Sequence, residues 1–124
     1  MRPESTEGAP QRLRAALRSA MKAKDAVATS ALRSVLAAIA NAEAVAPPPG
    51  GPLTGGNAHF AGSVAGVGAA EAGRRVLTAG EVAAIIAAEV ADRRAAAAGY
   101  DASGHDDRAS RLRREAEVIE AAQG

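Results

Sequence analysis

Three cations near the start of the chain repeat at four-residue intervals. Arg14, Arg18 and Lys22 have this spacing, which places them on one face of a helix. No acidic residue lies between Gln11 and Lys24, so the repulsion between neighbouring cations, on the order of a few tenths of a kcal/mol, is not relieved within the helix. Such a stripe suits contact with phosphate groups. The same side chains can instead only solubilise the helix, because their stems cover apolar surface while their charges stay in water.

Two further cations, Lys24 and Arg33, lie close to this stripe in the sequence. We take all five as candidate nucleic-acid contacts, although Arg33 could instead pair with an acid of another helix. Residues 1–46 carry seven basic and four acidic side chains, whereas residues 47–124 carry eight and ten. The net charge of +1 is too small to indicate a nucleic-acid binder by itself. The positive charge of the N-terminal part is therefore the relevant signal.

Other site chemistries find little support in the sequence. The chain has no cysteine, which excludes disulfides, thiolate metal sites and cysteine nucleophiles. His59 and His105 have no ligand spacing around them, and the Asp106–Asp107 pair after His105 is typical of a helix start. The glycines of residues 62–68 lack the preceding strand and the order that cradles a dinucleotide. We predict no catalytic residues, no metal site and no cofactor.

The composition limits the core of this 124-residue chain. Hydrophobic residues make up 48% of it, but aromatic residues only 2%, and much of the apolar class is alanine. Alanine favours helices but buries little apolar surface. The longest apolar run, residues 82–88, is far shorter than the ~20 residues that span a bilayer, and the N-terminus does not look like a secretory signal. We expect a cytoplasmic protein with no membrane contact.

Hydrophobic periodicity predicts an all-α fold of about four helices, arranged as two packed helical hairpins. The first has Leu13, Leu17, Ala20 and Met21 as its apolar face. The predicted helices cover residues 11–24, 25–45, 78–98 and 106–120. Residues 1–10 are predicted to be a disordered leader, and a Gly/Pro/Ala-rich flexible linker, residues 47–76, is predicted between helices two and three of a single domain, residues 11–122.

Local signals mark several helix ends and ion pairs. Asp25 suits an N-cap, Thr78 with Glu81 forms a capping box, and Gly99 is predicted to stop the third helix. Ion pairs with four-residue spacing are predicted along helices three and four. They are Glu89 with Arg93, Arg111 with Glu115, and Arg113 with Glu117.

Residues 17–25 (LRSAMKAKD) and 31–43 (ALRSVLAAIANAE) resemble the opening helices of the GatB/YqeY domain family. The likeness continues through the predicted third and fourth helices, although His105 and Arg108 stand where the family has arginine and leucine. The positions that carry it there are Glu81, Val82, Ile85, Glu89, Val90, Arg93, Tyr100, Gly104, Asp107, Ala109, Leu112, Glu115 and Ile119.

This resemblance implies a non-catalytic helical module linked to tRNA metabolism. The family includes free-standing bacterial proteins and a domain of the tRNA-dependent amidotransferase, a carbon–nitrogen ligase with glutamine as amido donor. We expect the family's C-terminal tail domain, which is thought to meet tRNA, to be absent here. Possible partners are tRNA or an amidotransferase complex. The alternative is a protein–protein interaction adaptor that holds a partner helix in an alanine-surfaced groove and has no RNA role.

The linker is predicted to be dispensable for folding, because it has no apolar periodicity. Replacing residues 50–72 with a short Gly/Ser segment should leave the helicity and the melting temperature nearly unchanged, as measured by circular dichroism. A large fall in melting temperature would instead place Phe60 or Val64 in the core.

Overall fold

The computed structural model describes residues 8–44 and 75–124, and these residues form four helices. Their bounds are α1 Ala9–Lys22, α2 Ala26–Ala44, α3 Ala79–Ala102 and α4 Asp106–Gln123. The described ranges contain no strand, so the predicted all-α class with about four helices is confirmed. Most of the predicted leader and linker, residues 1–7 and 45–74, lies outside the described residues.

Contacts between Cα atoms divide the chain into two units. One consists of Met1–Ile39 together with Thr78–Gly124, and the other is Ala40–Leu77. In the second unit, the backbone N–H of Arg75 donates to the carbonyl oxygen of Glu43 at 2.7 Å. The two described ends of that unit are therefore adjacent.

The core of the first unit is built from a few aliphatic side chains among alanines. Its largest fully buried side chains are Leu13, Leu32, Val35, Ile86 and Ile119. The most extensive helix contact joins α3 and α4, and α1 also contacts both of them. Small buried residues allow this close approach, since alanine has no side chain beyond Cβ. They are Ala97 on α3, and Ala109 and Ala116 on α4.

Both predicted N-caps are confirmed. The Asp25 carboxylate accepts a hydrogen bond from the backbone N–H of Ala28 at 3.1 Å, and the side chains of Thr78 and Glu81 form the reciprocal capping box. Helix α1 begins at Ala9, two residues before the predicted start. Proline is tolerated there because the first helical residues have no intrahelical partner for their N–H groups, and Pro10 stands in that first turn.

The prediction that Gly99 stops the third helix is wrong, because α3 continues to Ala102. The glycine of its C-terminal cap is instead Gly104, which follows the cap residue Ser103 and has a φ of 83°, in the left-handed region. The N–H of Gly104 donates to the Asp101 carbonyl at 3.1 Å, and the N–H of His105 donates to that of Tyr100 at 2.8 Å. This pair of bonds is the Schellman motif, in which glycine adopts the left-handed conformation without strain.

A partly buried ion-pair network joins α3 to α4. Arg93 contacts Glu89 at 2.8 Å, as predicted, and also Glu115 at 3.0 Å, while Arg111 contacts Glu115 at 3.2 Å. Burial opposes the charge of Arg93, but its hydrogen bonds to the two glutamates outweigh that effect and raise its pKa. The predicted partner of Arg113 is wrong, since Arg113 pairs with Asp101 of α3.

The few buried aliphatic side chains should be individually important for stability. Leu32 and Ile86 are at most 1% exposed, so Leu32→Ala or Ile86→Ala should each lower the free energy of unfolding by roughly 2 to 5 kcal/mol by leaving a cavity. Urea titration measures this loss. Val76→Ala, at a residue that is 93% exposed, is the control and should change the free energy by less than about 0.5 kcal/mol. Losses below about 1 kcal/mol at both core positions would contradict the described packing.

Candidate nucleic-acid interface

The five candidate cations are exposed, and they lie on α1, on the α1–α2 turn and on the first half of α2. We call them the basic patch. None of them has a carboxylate within ion-pair distance among residues 8–44 and 75–124, so the possible pairing of Arg33 with an acid is not found there. The patch consists of Arg14, Arg18, Lys22, Lys24 and Arg33.

The arginines of α3 and α4 differ from the basic patch in that each has a partner. Arg94 pairs with Glu120 at 2.6 Å, and the guanidinium of Arg108 lies 5.6 Å from the centroid of the Tyr100 ring. The carboxylate partners of the others are Glu89 and Glu115 for Arg93, Glu115 for Arg111, Asp101 for Arg113 and Asp25 for Arg114. Carboxylates of α3 and α4 neutralise Arg93, Arg94, Arg111 and Arg113, and Asp25 neutralises Arg114, whereas the basic patch has no carboxylate partner among the described residues.

Asp25 fixes the position of the turn that carries Lys24. Its carboxylate caps α2 and also accepts a hydrogen bond from Nη2 of Arg114 on α4 at 2.6 Å. The hydrogen bond from the Ala28 N–H and the Arg114 guanidinium both lower the pKa of this carboxyl. At the other end of α1, Nε of Arg12 donates to the Gln123 carbonyl oxygen of α4 at 2.9 Å. These two connections hold α1 antiparallel to α4.

Lys24 has an unfavourable backbone conformation. Its φ of 58° makes it the one non-glycine residue with a positive φ among the described residues. The N–H groups of Lys24 and Asp25 donate to the carbonyls of Met21 and Ala20, at 3.1 and 2.9 Å, so α1 ends in the same motif as α3. At the equivalent position α3 has Gly104. The lysine side chain therefore occupies a position where glycine would relieve the strain, and strain of this kind is common at functional sites.

Met21 is not a core residue, which corrects the predicted apolar face of α1. At about 100° per residue, Met21 lies about 90° from the direction shared by Leu13 and Ala20, the two buried residues of this helix. Its side chain is 48% exposed, and its Sδ atom lies 3.8 Å from Nη2 of Arg33 on α2. Met21 is therefore beside the basic stripe rather than opposite to it.

Two open depressions meet at Met21. One, of about 720 Å³, is bordered by Lys24 and Arg33, and the other, of about 630 Å³, by Arg18 and Lys22. Arg14 borders neither depression and lies one helical turn from Arg18. The structure thus gathers four of the five predicted cations around an exposed thioether. The sequence gives no signal of this position of Met21, because hydrophobic residues at three- and four-residue spacing are usually core residues.

No catalytic arrangement is evident in the described residues. Ser103 Oγ lies 3.0 Å from Nδ1 of His105 and 3.2 Å from the Tyr100 carbonyl oxygen, so both are local contacts of the exposed turn between α3 and α4. The described part of the chain also holds no group of three or more His, Asp or Glu side chains placed to share a metal ion.

Comparisons with protein-family models, with curated proteins and with solved structures found no match to this chain. Among the described helices, none combines the length and the hydropathy that crossing a bilayer requires. The arrangement of the exposed cations is thus the feature on which a functional interpretation depends.

If Lys24 is strained, replacing it with glycine should stabilise the chain. Lys24→Gly should raise the free energy of unfolding by about 0.5 to 1 kcal/mol. The left-handed conformation costs a lysine roughly 1 to 2 kcal/mol, and the greater backbone entropy that glycine loses on folding offsets part of the gain. Urea titration measures the change.

The matched control is Gly104→Lys at the equivalent position of α3. Apart from the adjacent residues of the chain, no heavy atom lies within 4 Å of a Cβ built there, so the backbone conformation is what opposes the substitution, which should lower stability by about 1 kcal/mol. A loss of stability in Lys24→Gly would show that the lysine side chain contributes more to the fold than its conformation costs.

Proposed function

We propose that this chain is a non-catalytic helical module that binds the phosphate backbone of RNA through the basic patch. The observation that carries this proposal is the distribution of ion pairs: the arginines of α3 and α4 are partnered, whereas the five cations of the patch lie exposed without a carboxylate partner in the described residues. Phosphate groups would supply the missing negative charges. Such contacts read backbone charge rather than sequence.

The resemblance of residues 17–25 and 31–43 to the GatB/YqeY domain family points to tRNA as the RNA. On this proposal the chain acts in tRNA metabolism, alone or beside a tRNA-dependent amidotransferase. The glutamine-dependent ligase reaction belongs to that enzyme, and the proposal assigns no step of it to this chain.

The strain at Lys24 supports the same proposal independently. A lysine in the left-handed region costs stability, and the α3 turn shows that the same motif forms with glycine. A cation in the turn between α1 and α2 is useful if it contacts an anion, and Lys24 is exposed there. Function and stability then oppose each other at this position.

A protein–protein adaptor is the second candidate function. A depression of about 470 Å³, lined by residues of α1, α2 and α4, supports it, because most of its lining residues are alanines. Its lining includes Ala16, Ala20, Ala28, Ala121 and Ala122. An apolar groove of this kind suits a partner helix. This candidate requires no RNA and no basic patch.

Binding of tRNA should depend strongly on salt. If Arg14, Arg18 and Lys22 each contact a phosphate, the logarithm of the affinity should fall with the logarithm of salt concentration by roughly 0.7 to 0.9 per contact. The triple substitution Arg14→Ala, Arg18→Ala and Lys22→Ala should weaken binding to unrelated RNAs alike and reduce the slope by about 2 to 3. Fluorescence titration of labelled tRNA at several salt concentrations measures both effects.

A matched control removes three cations from α3 and α4 instead. Arg94→Ala, Arg108→Ala and Arg113→Ala together lower the net charge by the same amount, and exposed ion pairs contribute little to stability. This control should bind tRNA nearly as well as the unchanged chain. Equal losses in both triple variants would show that only the net charge matters.

Lys24→Gly separates binding from folding, because it should weaken RNA binding while raising stability. The absence of saturable tRNA binding by the unchanged chain at low salt would contradict the proposal. The adaptor would then become the better explanation, and proteins captured by the chain should remain bound after ribonuclease treatment.

A further inference from the structure

The surroundings of Met21 contain more than a phosphate site needs. Phosphate binds cations and hydrogen-bond donors, whereas a thioether is apolar and has no hydrogen to donate to it. Here the Met21 Sδ atom lies 3.8 Å from the guanidinium of Arg33, so side chains from two helices form one continuous surface, apolar at Met21 and charged at Arg33. Nucleobases stack on arginine planes, and thioethers make favourable contacts with aromatic rings.

Polar groups suited to a base edge lie in the same depression. The hydroxyls of Thr29, Ser30 and Ser34 line it, and none of the three forms a hydrogen bond with another described residue. A hydroxyl can donate and accept, which suits the mixed donor and acceptor pattern of a base. Lys24 borders this depression, whereas Arg18 and Lys22 border the depression on the other side of Met21. Cations therefore flank the thioether on both sides.

From this arrangement we infer that the site holds an unpaired nucleotide of RNA, with its base against Met21 and Arg33 and its neighbouring phosphates on the flanking cations. The inference rests on the proposed function and deepens it, since it names single-stranded RNA as the substrate class. A duplex cannot make the same contact, because its bases are stacked and paired. The charge of the site favours a nucleic acid over an apolar helix, which would leave the four cations around Met21 without partners.

The test compares three labelled RNAs at one low salt concentration by fluorescence anisotropy. They are a short oligouridylate, an abasic ribose-phosphate oligomer of equal length, and an RNA duplex of similar total charge. The oligouridylate should bind more tightly than the other two, because it alone offers both phosphates and free bases. Met21→Ala should weaken its binding by about 2- to 10-fold and leave binding of the abasic oligomer unchanged.

Two further variants accompany Met21→Ala. Val76→Ala removes an exposed apolar side chain elsewhere and should have no effect on any of the three RNAs. Ser30→Ala combined with Ser34→Ala changes two exposed hydroxyls without altering charge or core. It should weaken binding of the oligouridylate alone, which keeps the inference testable if Met21→Ala fails to fold.

The outcomes distinguish this inference from the proposed function. Equal affinity for the oligouridylate and the abasic oligomer would overturn the nucleobase inference and leave phosphate binding intact. If no RNA binds, the proposed function fails as well. Saturable binding of an acidic peptide that carries leucine side chains, weakened by Met21→Ala and with no RNA bound, would assign the same surface to a protein partner and overturn the nucleobase inference.

Discussion

The carboxylate of Asp25 connects three of the four helices. It follows the end of α1, accepts the Ala28 N–H in the first turn of α2, and accepts a hydrogen bond from Arg114 on α4. The positions of Lys24 and Met21 depend on these hydrogen bonds of Asp25, because Lys24 directly precedes Asp25 and Met21 lies one turn earlier. Arg33, two turns into α2, reaches Met21 only if α2 leaves the turn in the direction that this cap sets. One carboxylate thus positions much of the basic patch.

The composition of the core explains why charge is distributed so unevenly. Alanine allows α3 and α4 to approach closely but supplies little apolar surface, and the side chains between them include the partly buried ions Arg93 and Glu115. A buried charge is costly without a partner, so Arg93 keeps two glutamates and Glu115 two arginines. Glu89 and Glu115 are thereby committed to arginines of α3 and α4. Helix α1 contains no acid, and Arg14, Arg18 and Lys22 on it are exposed without carboxylate partners among the described residues.

Features set by neighbouring residues in the sequence could be predicted, and features set by tertiary geometry could not. The caps at Asp25 and Thr78 involve atoms three residues apart, and both were predicted correctly. Gly99 suits a helix end, but α3 continues past it, and Asp101 in the added turn pairs with Arg113 of α4. Met21 matches the spacing of the α1 core, yet it is half exposed and contacts Arg33 of α2 outside the core. The strain at Lys24 has no sequence signal, since lysine is ordinary at a helix end.

The dipole of α1 accounts for the location of some cations of the basic patch but not of the others. Lys22 and Lys24 lie at the C-terminal end of α1, where cations interact favourably with the helix dipole. That effect falls off within one turn, so it does not reach Arg14 or Arg18. The dipole also does not explain why a lysine occupies position 24, where the backbone is left-handed. A lysine at position 23 would interact with the dipole equally well, and its backbone there is right-handed. The proposed binding of an external anion would account for Arg14, Arg18 and Lys24 together, because contact with an anion depends on where each charge lies on the surface and not on its effect on the helix.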